Sequence, residues 1–483
     1  MSRARIIATL GPASSDESTI EQMIEAGVNV FRLNYSHGSP DEKTELYRRI
    51  RRAEDAAGRP IGILADAPGP KIRLGTFDGP VQLKEGMEVG LECGRMEGHE
   101  TEPVRLPVEW DGLSADLAEG DPILLADGLI ELKVVEAPKA AGATVRTLVV
   151  QGGPITSRKG VNVPQTLVRL PSVGPKDRAV IEHALEHEAD FIALSYVRQP
   201  EDIAPARAMI EAAGRDTWIV SKIEHPTALK HLDRIASDSD VVMVARGDLG
   251  VEMPLEEVPH IQANIIETCQ RLGRPVIVAT QMLESMIEHS RPTRAEVSDV
   301  AGAIQQGSQA VMLSGESAVG AHPVDAVSTM RRIAEAAQRT WNGRSIPPDG
   351  AAFSTTRSLA GATVRIAEAI SADGLLVATE TGSAARLVGA YRPSIPILAM
   401  TTRRRSLRRM TLLPGVEGVL VEEESRARTT IAGAARRLAE QDRLNGGGVF
   451  VTLSGSPMAI TGRSNTIRVL EFGEDGTLAE PWT

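Results

Sequence analysis

Short apolar runs alternate along the chain with longer segments in which apolar residues recur every three or four positions. The runs are rich in β-branched residues, as strands are, and the longer segments have the spacing of amphipathic helices. Eight such units predict an α/β fold of the (β/α)8 barrel type. The predicted strands are Arg5–Thr9, Asn29–Asn34, Ile61–Asp66, Asp190–Leu194, Trp218–Ile223, Asp240–Ala245, Pro275–Ala279 and Ala310–Leu313.

The helical spacing disappears between Gly69 and about Pro171. Short alternating stretches are separated there by Gly, Pro and Asp-Gly turns. This pattern predicts a small all-β module at residues 70–170, inserted into a barrel that comprises residues 1–69 and 171–341. Such an insertion is well tolerated when its two ends lie close together.

A second change of pattern follows the barrel. Residues 342–352 are rich in Gly, Pro and Ser, which indicates a domain boundary. Beyond it, five short apolar runs alternate with helical segments, and residues 353–483 are predicted to form a separate α/β domain. This domain also carries a basic run at 403–409, which is usually a solvated helix face but can also help to bind an effector phosphate or pair with acidic groups across a subunit contact.

Composition excludes several classes of partner. With 53 basic and 64 acidic residues the net charge is −11, which disfavours binding to nucleic acid or to anionic membranes. The sequence has no signal-peptide pattern and no run of about 18 apolar residues that would span a membrane. Its two cysteines argue against a disulfide framework, so a cytoplasmic location is predicted.

Polar residues follow several predicted strands at their carboxyl ends, where barrel enzymes place their sites. Glu224 and Asp248 follow neighbouring strands and offer the hard oxygen ligands that Mg²⁺ prefers. A single acidic residue there is more often a helix cap, but these two alternate with Lys222 and Arg246. Arg246 has the simpler alternative of pairing with a carboxylate. The pattern predicts a metal and phosphate site.

Two further features of this region favour an anionic substrate. Arg32 and Lys222 supply positive charge for a phosphoryl group. The turn from Gly247 to Gly250 can direct backbone N–H groups at a carboxylate, because glycine lets the backbone approach closely.

Longer strings of residues in this chain resemble the pyruvate kinase family. They occur in the family's order over nearly the whole chain and are too specific for chance. The strings are ATLGPAS at 8–14, RLNYSHG at 32–38, RKGVN at 158–162, SKIE at 221–224, MVARGDLG at 243–250, ATQMLESM at 279–286, PTRAEVSDV at 292–300 and VMLSGE at 311–316.

The resemblance implies a barrel with an inserted small β-barrel lid domain and a C-terminal regulatory domain. The implied reaction is Mg²⁺-dependent transfer of a phosphoryl group from phosphoenolpyruvate to ADP, giving pyruvate and ATP in the last step of glycolysis. Mg²⁺ would be bound by Glu224 and Asp248, with Mn²⁺ as an alternative metal and a second Mg²⁺ arriving with ADP. The family is usually tetrameric, so a homotetramer is expected.

The resemblance also assigns roles to individual residues. The catalytic residues are Lys222, Thr280, Arg32 and Ser314. Phosphoenolpyruvate is bound by Arg32, Lys222, Gly247, Asp248 and Thr280. The nucleotide lies near Thr9, Asn34, His37, Arg73 and Lys159. Lys222 would neutralise the transferring phosphoryl group, and a relay of hydroxyl groups and water, with Thr280 and Ser314 as the candidate hydroxyls, would deliver a proton to the enolate.

The chain departs from many family members at Lys71. Those members have glutamate there and bind K⁺ through residues that match Asn34, Ser36 and Asp66. An ammonium group about 4 Å away is a fair substitute for a monovalent cation, because the attraction depends inversely on distance. We therefore predict that K⁺ is not required, as in the branch of the family with lysine at this position. The alternative is that Lys71 points to solvent.

A loop in the C-terminal domain resembles the family's allosteric phosphate site. Its small polar residues precede a helical segment, whose N-terminus attracts anions. The predicted effector residues are Thr379, Thr381, Gly382, Ser383 and Asn465. Fructose 1,6-bisphosphate, another sugar phosphate and AMP are all candidate effectors, and an empty loop is the alternative.

Two other functions fit parts of the pattern. One is a different barrel enzyme that forms an enolate of phosphoenolpyruvate or pyruvate on Mg²⁺, against which the predicted insert and C-terminal domain argue. The other is a catalytically silent, phosphate-sensing paralogue. Such a sensor has no need of the hydroxyl of Thr280, which this chain retains.

Overall fold

The structure is a computed structural model that describes residues 4–98, 100–101, 103–126, 128–164, 166, 168–339, 355–422, 431, 433, 435, 448–455, 464–474 and 477–478. The predicted boundary at 342–352 lies outside these residues. The first part of the chain forms β1 (Arg5–Thr9), α1 (Glu17–Ala26), β2 (Val30–Asn34), α2 (Pro40–Ala57) and β3 (Gly62–Asp66).

The local sequence sets where α2 begins. Ser39 accepts a hydrogen bond from the backbone N–H of Glu42, and the Glu42 side chain accepts one from the backbone of Ser39. Pro40 occupies the first helical position, where its missing N–H has no cost. Helix α2 therefore starts immediately after the polar segment that ends β2.

The inserted segment is all-β except for one short helix, as the loss of helical spacing predicted. Its elements are β4 (Val81–Leu83), β5 (Glu88–Cys93), β6 (Glu100–Thr101), β7 (Val104–Val108), α3 (Leu113–Asp116), β8 (Pro122–Leu125), β9 (Ile130–Glu136), β10 (Thr144–Gln151), β11 (Gly153–Ile155) and β12 (Val161–Asn162). They form a seven-stranded sheet of order β12-β8-β9-β10-β5-β7-β6 and a two-stranded sheet of β11 and β4. We call this segment the lid.

The chain then returns to complete the barrel. The strands are β13 (Phe191–Leu194), β14 (Trp218–Ile223), β15 (Val241–Ala245), β16 (Val276–Ala279) and β17 (Ala310–Leu313). The helices are α4 (Pro175–Glu186), α5 (Ala204–Ala212), α6 (Pro226–Lys230), α7 (Leu232–Asp238), α8 (Arg246–Glu252), α9 (Val258–Leu272), α10 (Arg294–Gln306), α11 (Gly315–Ala318) and α12 (Pro323–Arg339). Short 3-10 turns lie at Pro200–Asp202, Leu255–Glu257 and Glu284–Ile287.

Eight parallel strands close the barrel in the order β1-β17-β16-β15-β14-β13-β3-β2. Strands β3 and β13 to β17 are buried along their whole length, as expected for a parallel sheet covered on both faces. The predicted (β/α)8 barrel is confirmed.

Polar side chains close the amino end of the barrel. Each accepts a hydrogen bond from the first N–H groups of a neighbouring strand, which have no other partner in the sheet. The pairs are Asn29 with Ile6, Asp190 with Ile63, Asp240 with Ile219, and Gln309 with Val276. Three of the four acceptors were predicted as strand residues or lie at predicted strand starts, and the observed strands begin one residue later.

The C-terminal part forms the predicted α/β domain. Its elements are α13 (Thr355–Ala369), β18 (Gly374–Ala378), α14 (Ser383–Ala390), β19 (Ile397–Thr401), α15 (Arg404–Met410), β20 (Val416–Leu420), β21 (Gly448–Ser454) and β22 (Thr466–Phe472). The sheet order is β20-β19-β18-β21-β22, and only β22 runs antiparallel to its neighbour.

This domain packs on the amino end of the barrel. One hydrophobic cluster joins Phe191 and Trp218, at the starts of β13 and β14, to Met410 and Leu412 of the C-terminal domain. The carboxyl ends of the barrel strands therefore face away from this domain, toward the lid.

Candidate active site

The predicted site residues meet at the carboxyl ends of the barrel strands. Asp66 ends β3, Lys222 lies near the end of β14, and Asp248 lies in the first turn of α8, directly after β15. Strands β3 and β14 both flank β13, so a long side chain on β14 can reach a residue on β3. Closure of the barrel thus brings together Asp66, Lys222 and Asp248, which are far apart in the sequence.

Asp66 is a buried carboxylate held by two cations. Arg32 Nε donates a hydrogen bond to Asp66 Oδ2 over 2.6 Å, and Lys222 Nζ lies 3.3 Å from Oδ1. Burial acts to raise the pKa of Asp66, but Lys222 and Arg32 lower it below its usual value. Asp66 is therefore an anion that orients both predicted phosphate-binding cations.

Lys222 has three partners. Its ammonium donates to Ser195 Oγ over 2.7 Å and lies 3.0 Å from Glu224 Oε1, in addition to its pair with Asp66. Burial acts to lower the pKa of Lys222, but the carboxylates of Asp66 and Glu224 outweigh it and raise that pKa. Lys222 therefore remains a fixed positive charge.

Of the ion pair between Lys222 and Glu224, Glu224 is the group whose charged form is, on balance, disfavoured by burial. It is fully buried, and burial raises its pKa to about 7 even though Lys222 acts in the opposite direction. Among the described residues no group donates a hydrogen bond to Glu224 Oε1, although the ammonium of Lys222 lies within ion-pair distance. Such an oxygen has capacity for a further cation.

Tyr196 links Glu224 to Asp248. Its backbone N–H donates to Glu224 Oε2 over 2.7 Å, and its hydroxyl lies 3.4 Å from Asp248 Oδ1. Tyr196 has a φ of 55°, in the left-handed region that bulky residues rarely adopt. Such backbone strain persists only where the surroundings fix it, and it is concentrated at functional sites.

The residues present fit a divalent cation. Within the described residues, no group of three or more His, Cys, Asp or Glu side chains has an arrangement that could hold a metal ion. The described part of the chain itself therefore does not supply a complete set of ligands here. Glu224 and Asp248 offer two carboxylates, and substrate oxygens and water would supply the other ligands. Mg²⁺ commonly binds in this manner, through one or two carboxylates together with substrate phosphates.

Thr280 lies beside the turn that begins α8. Its hydroxyl accepts a hydrogen bond from the backbone N–H of Gly247 over 2.8 Å and donates to the carbonyl oxygen of Ala279. Thr280 and Gln281 both have positive φ values, 71° and 53°. Two predicted substrate-binding groups, Thr280 and the Gly247 amide, are thus in direct contact.

Arg246 holds this arrangement in place. It pairs with Asp299 through hydrogen bonds of 2.7 and 2.8 Å and donates to the carbonyl oxygen of Thr280 over 2.7 Å. The simpler alternative weighed for Arg246, a pair with a carboxylate, is the one observed.

Ser314 follows β17 at the same end of the barrel. Its backbone N–H donates to Glu316 Oε2 over 2.7 Å, whereas its hydroxyl is buried and has no hydrogen-bond partner in the described part of the chain. The structure gives no hydrogen bond between Ser314 and Thr280, so a direct relay between the two hydroxyls is not formed.

Three of the five predicted nucleotide residues line one cavity of about 640 Å³. They are Thr9, Asn34 and His37, and the cavity continues between β1 and α2 past the apolar residues Pro12 and Val319. Apolar walls with a few polar groups are typical of cavities that bind small molecules.

The other two predicted nucleotide residues lie together on the lid. Arg73 and Gly160 form an isolated antiparallel bridge, and Arg73 donates to the carbonyl oxygen of Arg158, next to Lys159. The side chain of Lys159 is exposed. The structure therefore divides the predicted nucleotide residues into a barrel group and a lid group.

Lys71 lies at the site, but its position differs from the one considered in the K⁺ hypothesis. Its ammonium is 3.6 Å from Asp248 Oδ1, a predicted Mg²⁺ ligand, and it is only partly exposed. Asp66 is instead held by Arg32 and Lys222, and the Asn34 side chain accepts a hydrogen bond from the N–H of Ser36. The interpretation that Lys71 points to solvent is wrong.

The predicted effector loop precedes α14. Gly382 has a φ of 84°, and its N–H donates to Thr379 Oγ1 over 3.0 Å, while the hydroxyls of Thr381 and Ser383 lie 3.0 Å apart. Asn465 lies beyond the end of β21, where its N–H donates to the carbonyl oxygen of Ser454. These residues belong to two neighbouring strand ends of the same sheet.

Sequence reasoning missed several residues of this site. The end of strand four was passed over, although Ser195 and Tyr196 contact the predicted cation and carboxylates there. Its position at a strand's carboxyl end was the signal that could have found it. The buried pair of Asn162 and Glu252 had no such signal, because its members are 90 residues apart.

The fold and site define a (β/α)8 barrel protein with fixed cations and a pair of carboxylates at the carboxyl ends of its strands. Comparison with known proteins makes this specific. The family model "Pyruvate kinase, barrel domain" matches residues 1–327, and "Pyruvate kinase, alpha/beta domain" matches residues 357–470. The chain belongs to the pyruvate kinase family.

Individual relatives agree. A pyruvate kinase from Mycobacterium tuberculosis is 39% identical over 98% of this chain and 99% of the relative, and one from Methylorubrum extorquens is 42% identical over 97% of both. The crystal structure of a pyruvate kinase from Cryptosporidium parvum superposes with a TM-score of 0.89 at 32% identity, covering 97% of this chain and 96% of that one. No described helix has the length and apolar character that a membrane span requires.

Proposed function

We propose that this chain transfers the phosphoryl group of phosphoenolpyruvate to ADP, giving pyruvate and ATP, at the site formed by Arg32, Lys222, Glu224, Asp248 and Thr280. One observation carries the proposal. The ammonium of Lys222 lies between Asp66 and Glu224, 3.3 and 3.0 Å away, so a fixed cation stands directly beside a predicted metal ligand. This is the arrangement that transfer of a multiply charged group requires.

The residues of the chain have separable tasks in this reaction. Arg32 and Lys222 attract the phosphoryl oxygens, and the Gly247 and Asp248 amides with Thr280 hold the carboxylate. Because Asp66 fixes both cations before the substrate arrives, little reorganisation is needed when charge moves. Glu224 and Asp248 would hold Mg²⁺, which when bound supplies further positive charge to the phosphoryl and enolate oxygens.

The transfer breaks the bond between phosphorus and the enol oxygen and forms one to the terminal oxygen of ADP. The enolate that remains needs a proton at its methylene carbon. The Thr280 hydroxyl is the group that we assign to this step, with a water completing the path, because it already lies in a hydrogen-bonded chain with the Gly247 amide. Exclusion of bulk water under the lid would prevent loss of the phosphoryl group to hydrolysis.

The nucleotide would enter the cavity of about 640 Å³ beside Thr9, Asn34 and His37. Arg73 and Lys159 would then reach its phosphates from the lid, which requires the lid to approach the barrel. The division of these residues between barrel and lid supports a site that is completed on binding.

We also propose that the reaction needs no K⁺. The ammonium of Lys71 stands 3.6 Å from Asp248, so the chain brings its own monovalent positive charge to the site. Its observed partner differs from the one that the sequence suggested, but the charge argument remains, since a cation at either carboxylate reduces the negative charge around the substrate.

The decisive experiment measures pyruvate formation from phosphoenolpyruvate and ADP with Mg²⁺, first in K⁺-free buffer and then with K⁺ added. We expect ADP-dependent turnover in both buffers, and we expect Lys71→Glu to make turnover depend on K⁺. Turnover of the unaltered chain only with K⁺ would overturn the Lys71 proposal and leave the kinase. Pyruvate release without ADP would favour another enolate-forming enzyme, and no turnover at all would favour the silent sensor.

Regulation and assembly are further parts of the proposal. We propose that a phosphorylated effector binds the loop of Thr381, Gly382 and Ser383, and that the chain forms a homotetramer in the cytoplasm. The left-handed Gly382 directly before α14 supports an anion site, since the first N–H groups of a helix are unpaired. Activity titrated with fructose 1,6-bisphosphate and with AMP, in the unaltered chain and in Thr381→Ala, would test the effector, and analytical ultracentrifugation the tetramer.

A further inference from the structure

The two stems that connect the lid to the barrel are joined to each other. The backbone N–H of Val161 donates to the carbonyl oxygen of Ile72 over 3.0 Å, and the N–H of Leu74 donates to that of Lys159 over 2.9 Å. The outgoing and returning stems therefore form a short antiparallel ribbon. A movement of one stem must carry the other with it.

Both stems also contact helix α8, which carries the predicted metal ligand Asp248. Lys71 of the outgoing stem pairs with Asp248, and Asn162 of the returning stem donates from Nδ2 to Glu252 Oε1 over 2.7 Å. Asp248 and Glu252 are four residues apart and so lie on one face of α8. One helical turn thus connects the metal-binding position to the root of the lid.

The pair of Asn162 and Glu252 is deeply buried. Asn162 is 5% and Glu252 is 6% exposed, so water competes little for their hydrogen bond. Tyr196 extends the network, because its hydroxyl lies 3.4 Å from Asn162 Nδ2 and 3.4 Å from Asp248 Oδ1. The network therefore leads from the lid stem to both ends of α8.

The network is not saturated. Glu252 Oε2 and Asn162 Oδ1 are buried without a hydrogen-bond partner among the described residues. Both residues line a cavity of about 50 Å³, together with Lys71 and Tyr196, and this cavity has room for a water molecule that could donate to these oxygens.

We propose that Glu252 is a positioning residue for the phosphoryl-transfer site, which by binding Asn162 sets the lid stem and the Asp248 carboxylate in one register. Loss of this bond uncouples them, so that the lid no longer brings its nucleotide-binding residues over a correctly placed Asp248. The inference deepens the proposed function and rests on it for its catalytic consequence. The mechanical link itself is independent of that function.

The test compares Glu252→Ala, Asn162→Ala and the double variant with Glu252→Gln. The glutamine variant keeps an oxygen that can accept from Asn162 and should behave like the unaltered chain. Glu256→Gln is the matched control, because Glu256 lies four residues further on, is exposed and, within the described residues, has no hydrogen bond or ion pair with either stem. The full-length protein is used throughout.

The first measurement is hydrogen–deuterium exchange of residues 71–74 and 160–163 in the ligand-free protein. We expect exchange there to accelerate about tenfold in both alanine variants, whereas the central lid strands stay unchanged. The second measurement is steady-state kinetics, where we expect the Mg²⁺ concentration for half-maximal activity to rise and kcat/KM for ADP to fall about 10²-fold. The double variant should be no worse than either single one.

The outcomes separate the two proposals. Faster stem exchange without any turnover in the unaltered chain would support the link and refute the proposed function. Unchanged exchange and unchanged Mg²⁺ dependence in Asn162→Ala would overturn the link, even if Glu252→Ala failed to fold. Equal losses in Glu252→Gln and Glu252→Ala would overturn it as well, since the charge and not the hydrogen bond would then matter.

Discussion

The two ends of the barrel bury charge in opposite ways. At the amino end one carboxylate, that of Glu54, is shared by two guanidinium groups, because it lies 2.9 Å from both Arg51 and Arg408. At the carboxyl end one ammonium, that of Lys222, is shared by the two carboxylates of Asp66 and Glu224. The first arrangement gives one carboxylate two cations. In the second, Glu224 shares the ammonium of Lys222 with Asp66, whereas Asp66 also pairs with Arg32.

This difference explains why the carboxyl end can bind a further cation, whereas the amino end serves as a structural contact. A carboxylate that already pairs with two guanidinium groups does not attract a further cation. The ion pairs at the amino end instead stabilise the contact between the barrel and the C-terminal domain. Burial raises the pKa of Glu224 to about 7, because Lys222 offsets the effect of burial only in part and the charge of Asp248 adds to it. A divalent cation at Glu224 would offset the free-energy cost of burying this carboxylate. Without the cation, the site lowers the stability of the folded chain but keeps the capacity to bind metal.

Replacing the shared ammonium is expected to have the largest effect. Lys222→Met removes the fixed cation at the phosphoryl position, and we expect kcat to fall about 10³-fold. The Michaelis constant for phosphoenolpyruvate should change less, because Arg32 remains. Steady-state assays check this, with Lys84→Met on the exposed surface of the lid as the control. A kcat within tenfold of the unaltered enzyme would contradict the assignment.

Removing the hydroxyl of Thr280 should have the next largest effect. Thr280→Val keeps the β-branched shape at a φ of 71° but leaves the Gly247 N–H without its acceptor. We expect kcat to fall about 10²-fold, whereas Thr280→Ser should stay within a few-fold. Exchange of the methyl protons of pyruvate with deuterated water gives a separate measure of the proton step. Equal exchange in the serine and valine variants would argue against Thr280.

The raised pKa of Glu224 predicts a pH dependence of metal binding. Mg²⁺ needs the carboxylate, so its apparent affinity should weaken about fivefold from pH 7 to pH 6, as protons compete for the site. Isothermal titration with Mg²⁺ at several pH values measures this. Binding that is independent of pH across this range would show that Glu224 is not a ligand.

The raised pKa of Glu224 also predicts how the stability of the metal-free protein depends on pH: stability should fall as the pH rises, whereas metal affinity should increase. The folded chain keeps a proton on Glu224 up to about pH 7, whereas the unfolded chain releases it near 4.5. Because the folded state binds more protons in this window, the contribution of Glu224 to stability is present below pH 4.5 and is lost as the pH rises to about 7. Thermal unfolding of Glu224→Gln in chelator should lack that slope.

The smallest effect on activity is expected at the amino end. Arg409 is only 2% exposed and donates to Asp216 over 2.8 Å, so Arg409→Met should lower the free energy of unfolding by about 1–3 kcal/mol. Activity should stay within twofold, because the residue lies across the barrel from the site. Urea unfolding and turnover are measured together, with the more exposed Arg405→Gln as the control. A tenfold loss of kcat without a loss of stability would break the contrast between the two ends.

Much of the fold could be predicted because its determinants are local. Apolar runs and helical spacing located all eight barrel strands, the all-β insert and the five C-terminal strands. Strand starts were placed one residue early at Asn29, Asp190 and Asp240, because polar residues that accept from a neighbouring strand look like part of the run. Only the pairing in the sheet distinguishes an acceptor at the strand's start from a strand residue.

The basic run in the C-terminal domain was interpreted less well. A solvated helix face is the usual meaning of such a run, and Arg404 is indeed largely exposed. Arg409, however, is buried against Asp216 and Arg408 is half-buried against Glu54, both in the barrel of the same chain. The partners of Arg408 and Arg409 are 354 and 193 residues away in the sequence, so no local pattern could predict these ion pairs.

The order of elements, the family and the chemical type of each site residue follow from residue identity and from spacings of a few positions, so they can be read along the chain. Which charges meet depends on how the chain folds. Lys222 reaches Asp66 only because β3 and β14 flank β13, Lys71 faces Asp248 because the lid stem passes over α8, and Asn162 finds Glu252 for the same reason. Electrostatic interactions depend on distance in space and on burial, and closing the barrel sets both.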